Sequence, residues 1–219
     1  MNGKQAYFPP PTPLAPTPLA TRAVARSMHQ VSWCLALIIL VGAPAAVAQQ
    51  GGANTQATLP DSDAALNAYL FAASYQNQGK YDLADTAWNR FLNRYPKHEK
   101  VPEAAHYLGV CHMEKEQPDY AAAIGAFQLA LRDKQYQLRQ ESLANLGWCH
   151  YQLAGTGENR DVQQLQKTIQ TFARLADESP ESSYLDRAYF YSGEAAYGLG
   201  NPAKAIEFYN SLLEMRRAT

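Results

Sequence analysis

The chain has 219 residues, 47% of them hydrophobic, and a formal net charge of −1, so it holds apolar material for a packed core and is not a disordered chain. Past residue 48 it carries 16 basic against 20 acidic side chains, a balance that excludes nucleic acid as a partner, because a phosphate backbone demands clustered Lys and Arg. Three cysteines, Cys34, Cys111 and Cys149, are too few for a disulfide scaffold.

Taken in chain order, the first element is an address. Tyr7 to Pro18 is proline-rich and reads as extended polyproline-like chain. Arg22 and Arg26 then precede an apolar run over residues 31–43, and Ala46-Val47-Ala48 follows as a small-residue cleavage pattern. Residues 1–48 are therefore expected to be a signal peptide with a long proline-rich n-region, cut after Ala48. A membrane anchor that stays uncleaved is the alternative, since Val31–Ala48 approaches the roughly 20 residues needed to span a bilayer. Pro44 and the small residues favour cleavage, after which no stable membrane insertion is expected. The start is open between Met1 and Met28; the arginines favour Met1. Cys34 opens the apolar run and does not close it, so no lipidation motif precedes the mature start and no lipid anchor is expected. Residues 49–62 read as a flexible linker.

Residues 63–219 then show one pattern four times, in repeats of about 65–98, 102–136, 140–181 and 186–219. Each begins with a helix bearing a small residue on its packed face: Ala72, Gly109, Gly147 or Gly193. A second helix follows with a stripe at i, i+4 and i+7: Ala84/Trp88/Phe91, Ala123/Phe127/Ala130, Thr168/Phe172/Leu175 and Ala205/Tyr209/Leu212. Glycine inside a helix costs about 1 kcal/mol against alanine, and close approach of two helices is the reason to keep three at one register. Gly79, Asp119, Asp161 with Gln164, and Gly200-Asn201-Pro202 supply turns and caps between the helices. No segment alternates with period two, so almost no strand is expected.

This pattern resembles the tetratricopeptide repeat, on Leu108-Gly109, Leu146-Gly147, the alanines and aromatics above, Gly79, Gly200, Pro96 and Pro180. The spacings between small residues, 37, 38 and 46, exceed the family's 34, with insertions at Gln117-Pro118 and Gly155–Arg160. Near-40 spacing is similar to the bacterial envelope subgroup that includes the Tol-Pal partner and the repeat lipoprotein of outer-membrane protein assembly. The chain lacks the heptad region of the first and the lipobox of the second. The resemblance implies an all-α solenoid of about four helix-turn-helix repeats in a right-handed superhelix, whose first helices line a concave groove. On the family's positions, the groove residues are Tyr69, His106, Val110, Met113, Trp148, Tyr151, Phe190, Glu194 and Tyr197. The implied function is a non-catalytic scaffold in the periplasm or another extracytoplasmic space, binding a protein or peptide. The runner-up is an accessory module or fragment of a larger envelope repeat protein or enzyme.

Other constellations do not converge on chemistry. Cys111-His112 and Cys149-His150 share a register, but equivalent points on stacked helices stand about 8–10 Å apart, too far for ligands about 2 Å from one ion. No metal and no cofactor are expected. Gly198-Leu199-Gly200 follows no strand and reads as a turn, and no hydrolase, Walker or HExxH motif occurs, so no catalytic residue is assigned. The last helix leaves Tyr209, Leu212 and Leu213 without a capping helix. A longer parent chain, self-association through this repeat and a partner that completes the stack all remain open.

Overall fold

The computed structural model describes residues 61–157 and 159–218; the expected signal peptide, its cleavage site and the expected linker up to residue 60 lie outside the described residues. The described residues form eight α-helices and no strand. They are α1 (Asp61–Asn77), α2 (Tyr81–Arg94), α3 (Val101–Glu114), α4 (Tyr120–Ala130), α5 (Arg139–Leu153), α6 (Val162–Glu178), α7 (Leu185–Gly198) and α8 (Pro202–Ala218). The first helix starts at Asp61, inside the stretch expected to be linker.

The breaks between helices follow the local chemistry. Gly79 and Gly200 take the left-handed conformation, with φ of 69° and 72°, that ends α1 and α7 without a Cβ clash. Asp119 caps α4 by accepting from the Ala122 backbone N–H at 2.9 Å, and Asn201 caps α8 by accepting from Lys204 N–H at 3.0 Å. Asp161 caps α6 by accepting from the N–H groups of Gln163 and Gln164. The reciprocal half of the expected capping box is absent: the Gln164 side chain turns to His150 instead, and the Asp161 N–H donates to the Ala154 carbonyl.

From α2 to α8 each helix packs on the next. First helices also touch across repeats, α3 with α5 and α5 with α7. The recurrent glycines explain how the pairs close. A Cβ on Gly109 would stand 2.7 Å from the Phe127 ring, and one on Gly147 would stand 2.7 Å from the Phe172 ring. At Gly193 the ring in the way is that of Tyr209. In each of these three repeats, then, the aromatic of the second helix lies against the glycine of the first. The absent methyl group lets a large ring be buried: Phe127 is fully enclosed and Phe172 is 1% exposed, each worth about 1.5–3 kcal/mol of transfer free energy.

Ala72 and Trp88 hold the corresponding places in the first repeat, both fully buried. Here the indole adds a polar anchor. Trp88 Nε1 donates to Gln76 Oε1 at 2.8 Å, and the Cys111 thiol lies 3.5 Å from the same oxygen, so one buried amide ties α1, α2 and α3 together.

Candidate functional site on the first helices

Side-by-side packing of the first helices gives the expected groove residues a common address, and packing then sorts them. Val110, Trp148 and Glu194 lie one residue past the recurrent glycine; Met113, Tyr151 and Tyr197 lie four residues past it.

Three of the nine are packing residues. Tyr69 is 4% exposed, wedged edge-on against Trp88 and Phe91 with centroids 4.9 and 5.7 Å away. Its hydroxyl donates to Glu103 at 3.0 Å, and burial followed by the Glu103 charge pushes its ionisation far above the usual phenol range. His106 is 1% exposed, with Nδ1 2.7 Å from Ser142 Oγ and its ring against Tyr107 and Phe127. Trp148 is enclosed between α5 and α7, its ring centroid 4.7 Å from that of Tyr191. These side chains are too large to sit beside a neighbouring helix without entering its core, which withdraws them from the surface the family register implies.

The other six reach the surface to different degrees. Val110 and Met113 are half-buried against the same apolar cluster that contains Trp148. Tyr151 is half-buried, stacked on Trp148 at 5.9 Å and tilted on Tyr191 at 4.8 Å. Phe190 meets Tyr191 edge-on at 5.0 Å and Tyr209 at 6.4 Å. Glu194 accepts a 2.6 Å hydrogen bond from the Tyr209 hydroxyl, whose ionisation is raised by burial and by that carboxylate. Tyr197 is 69% exposed, the barest large hydrophobic side chain described.

Two members of this site were not legible in the sequence. Tyr191 is the hub, touching Trp148, Tyr151, Phe190 and Phe172; it lies outside the groove register, in the seam between α5 and α7. Arg160 comes from the insertion in the third repeat. Its guanidinium lies 4.8 Å over the Tyr151 ring, and a Cβ on Gly198 would stand 2.9 Å from its Nη1. The insertion thus packs against the last turns of both α5 and α7, and the only sequence signal for it was the excess length of that loop.

The two described thiols are not set for nucleophilic chemistry. Cys111 and Cys149 are free and fully buried, and burial pushes the Cys111 thiol up to about 12 and the Cys149 thiol higher still, away from the nucleophilic thiolate. Among the described residues no three His, Cys, Asp or Glu side chains converge as metal ligands, and no helix is long and apolar enough to cross a membrane.

A scaffold of paired helices with an aromatic seam is common to many repeat proteins, and sequence likeness narrows it. The family model of an outer membrane lipoprotein, YfiO, matches residues 48–191, about two thirds of the chain. The chain belongs to that family. A tetratricopeptide repeat model also matches residues 187–215, which hold most of α7 and α8. The match to YfiO begins at residue 48 and so leaves residues 1–47, with Cys34, outside it. No curated protein sequence matches the chain. Among solved structures, the fold is similar to that of MamA, at 19% identity and a TM-score of 0.55 over 70% of this chain and 74% of that one. It is also similar to the nearly identical tetratricopeptide-like repeats of a putative kinesin light chain from Podosopora anserina, at 13% identity and a TM-score of 0.53, covering 74% and 80% of the two chains. Both likenesses establish a tetratricopeptide-like fold. Neither matching family model describes an enzyme.

Proposed function

We propose that this member of the YfiO family is an exported, non-catalytic scaffold that holds a segment of a partner protein against the first-helix face, over Tyr151, Phe190, Glu194 and Tyr197. The observation that carries the reading is the seam between α5 and α7. Half-exposed aromatic rings held by buried ones, beside a carboxylate and the bare Tyr197 ring, form a rigid surface in which little side-chain freedom is left to lose on binding. Val110 and Met113 extend it toward the second repeat, and an extended or helical peptide is the occupant such a face accommodates.

Site-specific photo-crosslinking in the cell envelope tests the face. A crosslinking residue at Tyr197 or Met113 is expected to trap a discrete partner, whereas one at Leu83 or Ile206, exposed on second helices, is not; equal yields at all four positions would refute the reading. Export is tested by the mature N-terminus. Gln49 is expected, and a lipid-modified Cys34 would show instead that the chain is anchored.

A further inference from the structure

A second recess lies away from the aromatic seam, where α4, α5 and α6 meet. It encloses about 300 Å³, and its lining includes Arg132 from just past α4 and Lys167 and Arg174 from α6, with no Asp or Glu among the lining residues. Thr171 and the amides of Gln128 and Gln170 add neutral donors around the cations, and Leu131, Leu146 and His150 form a buried floor. In a body with more acidic than basic side chains, three cations around one recess without a lining acid form a local field of opposite sign to the whole.

The carboxylate paired with Arg174 does not cancel that field. Glu178 is shared: Arg139 Nε and Nη2 donate to it at 2.7 and 3.1 Å, and Arg174 Nε donates at 2.7 Å. One negative charge is thus set against two guanidiniums, and Arg132 and Lys167 have no acidic partner at salt-bridge distance among the described residues.

We propose that this cleft binds a phosphate group, carried on a lipid headgroup or free in solution. A free phosphate or monoester carries up to about two negative charges and at least three acceptor oxygens, and the diester of a lipid headgroup one charge and two free oxygens on a tetrahedral centre; either can meet several cations and neutral donors distributed around a recess. A carboxylate, whose two oxygens lie in one plane, would reach fewer of them. The volume exceeds what a bare phosphate ion needs and leaves room for the glycerol of a headgroup. Nucleic acid stays excluded, because a polyanion needs a continuous basic track and one cleft accommodates one phosphate.

The test uses the protein purified after export, at fixed ionic strength. Calorimetric titration with inorganic phosphate and with glycerol 3-phosphate is paired with co-sedimentation on vesicles of phosphatidylglycerol or of phosphatidylcholine alone. Saturable binding by either soluble probe is expected, weakened about tenfold or more in the R132Q/K167Q double variant and unchanged in K204Q/R217Q, which removes the same charge from α8. Sedimentation with phosphatidylglycerol, competed by glycerol 3-phosphate and lost in R132Q/K167Q, identifies a lipid headgroup as the source; soluble binding without sedimentation identifies free phosphate. No saturable binding, or equal losses in both double variants, overturns the proposal. Both variants change exposed side chains, and a wild-type helical spectrum confirms that each is folded. Crosslinking at Tyr197 is a separate readout, so this proposal fails or survives independently of the first-helix face.

Discussion

Two interfaces between first helices, α3 with α5 and α5 with α7, do the same structural job with different chemistry. At the first, His106 pairs with Ser142, the Tyr136 hydroxyl donates to the same serine oxygen, and His106 Nε2 lies 3.6 Å from Glu141. At the second, Trp148, Tyr151 and Tyr191 meet ring on ring. A polar network fixes one geometry, because each buried donor and acceptor needs its partner. An aromatic seam is larger in energy and more tolerant in geometry. The surface proposed to bind a partner lies over the tolerant interface, while the polar one sets register deeper in the stack.

Trp148→Ala breaks this comparison hardest. The register reading expects a groove residue whose loss weakens a partner and leaves folding intact. Its burial between Tyr151 and Tyr191 instead predicts a loss of about 3–5 kcal/mol of folding stability, read by urea denaturation. Tyr197→Ala, at an exposed ring, is expected to change stability by less than about 0.5 kcal/mol. Similar, small effects of the two would show that the seam is not core.

Ser142→Ala probes the polar interface. The variant removes few contacts but leaves His106 Nδ1 and the Tyr136 hydroxyl without their shared partner. A cost of about 1–3 kcal/mol follows from stranding buried polar groups, well above the change expected from one lost oxygen on an apolar surface. Ser142→Thr, which retains the hydroxyl, is expected to recover part of it. A neutral Ser142→Ala would mean that water satisfies the pair and that the two interfaces differ less than their contacts suggest.

The repeats were legible because their signal is local. A small residue on one helix and an aromatic on the next must occur together in any pair that packs this closely, and Gly109 with Phe127 and Gly147 with Phe172 bear that out in contact. The caps at Asp119, Asp161 and Asn201 were legible for the same reason. The surface was not, because exposure depends on the neighbouring repeat. Ala73, Val110, Trp148 and Glu194 share one register position, yet the indole reaches the next helix and is buried while valine and glutamate remain half-exposed. Tyr191 lies in a seam that no single helix encodes, and Arg160 arrives from an insertion whose path only the fold determines.

Acid should affect the α4–α5 connection and the α5–α7 interface unequally, and this is a small and discriminating effect. His112 and His150 are held below the usual histidine range, in both cases chiefly by burial. Both favour the neutral form in the folded state, so the unfolded chain takes up protons first as pH falls through about 6.5, and stability declines below that point throughout the stack. Glu178 acts lower and locally. The hydrogen bond from Arg139, the first residue of α5, is the main cause holding its carboxyl below the usual range, and Arg174 adds to it. A depressed carboxylate contributes stability above its unfolded pKa that is lost as pH falls through the folded one. That contribution is about 1 kcal/mol at most for a partly exposed pair. Arg139 also donates to the carbonyls of Leu131 and Asp133, so protonating Glu178 frees the hinge between α4 and α5 and spares the rings between α5 and α7. Hydrogen exchange at pH 7 and again below pH 4 should therefore show amides near Arg139 losing more protection than those near Tyr191. Glu178→Gln should remove that difference while leaving the histidine-linked decline in place, and equal acceleration near Arg139 and near Tyr191 in the wild-type chain would mean that the Arg139–Glu178 tie does not act locally.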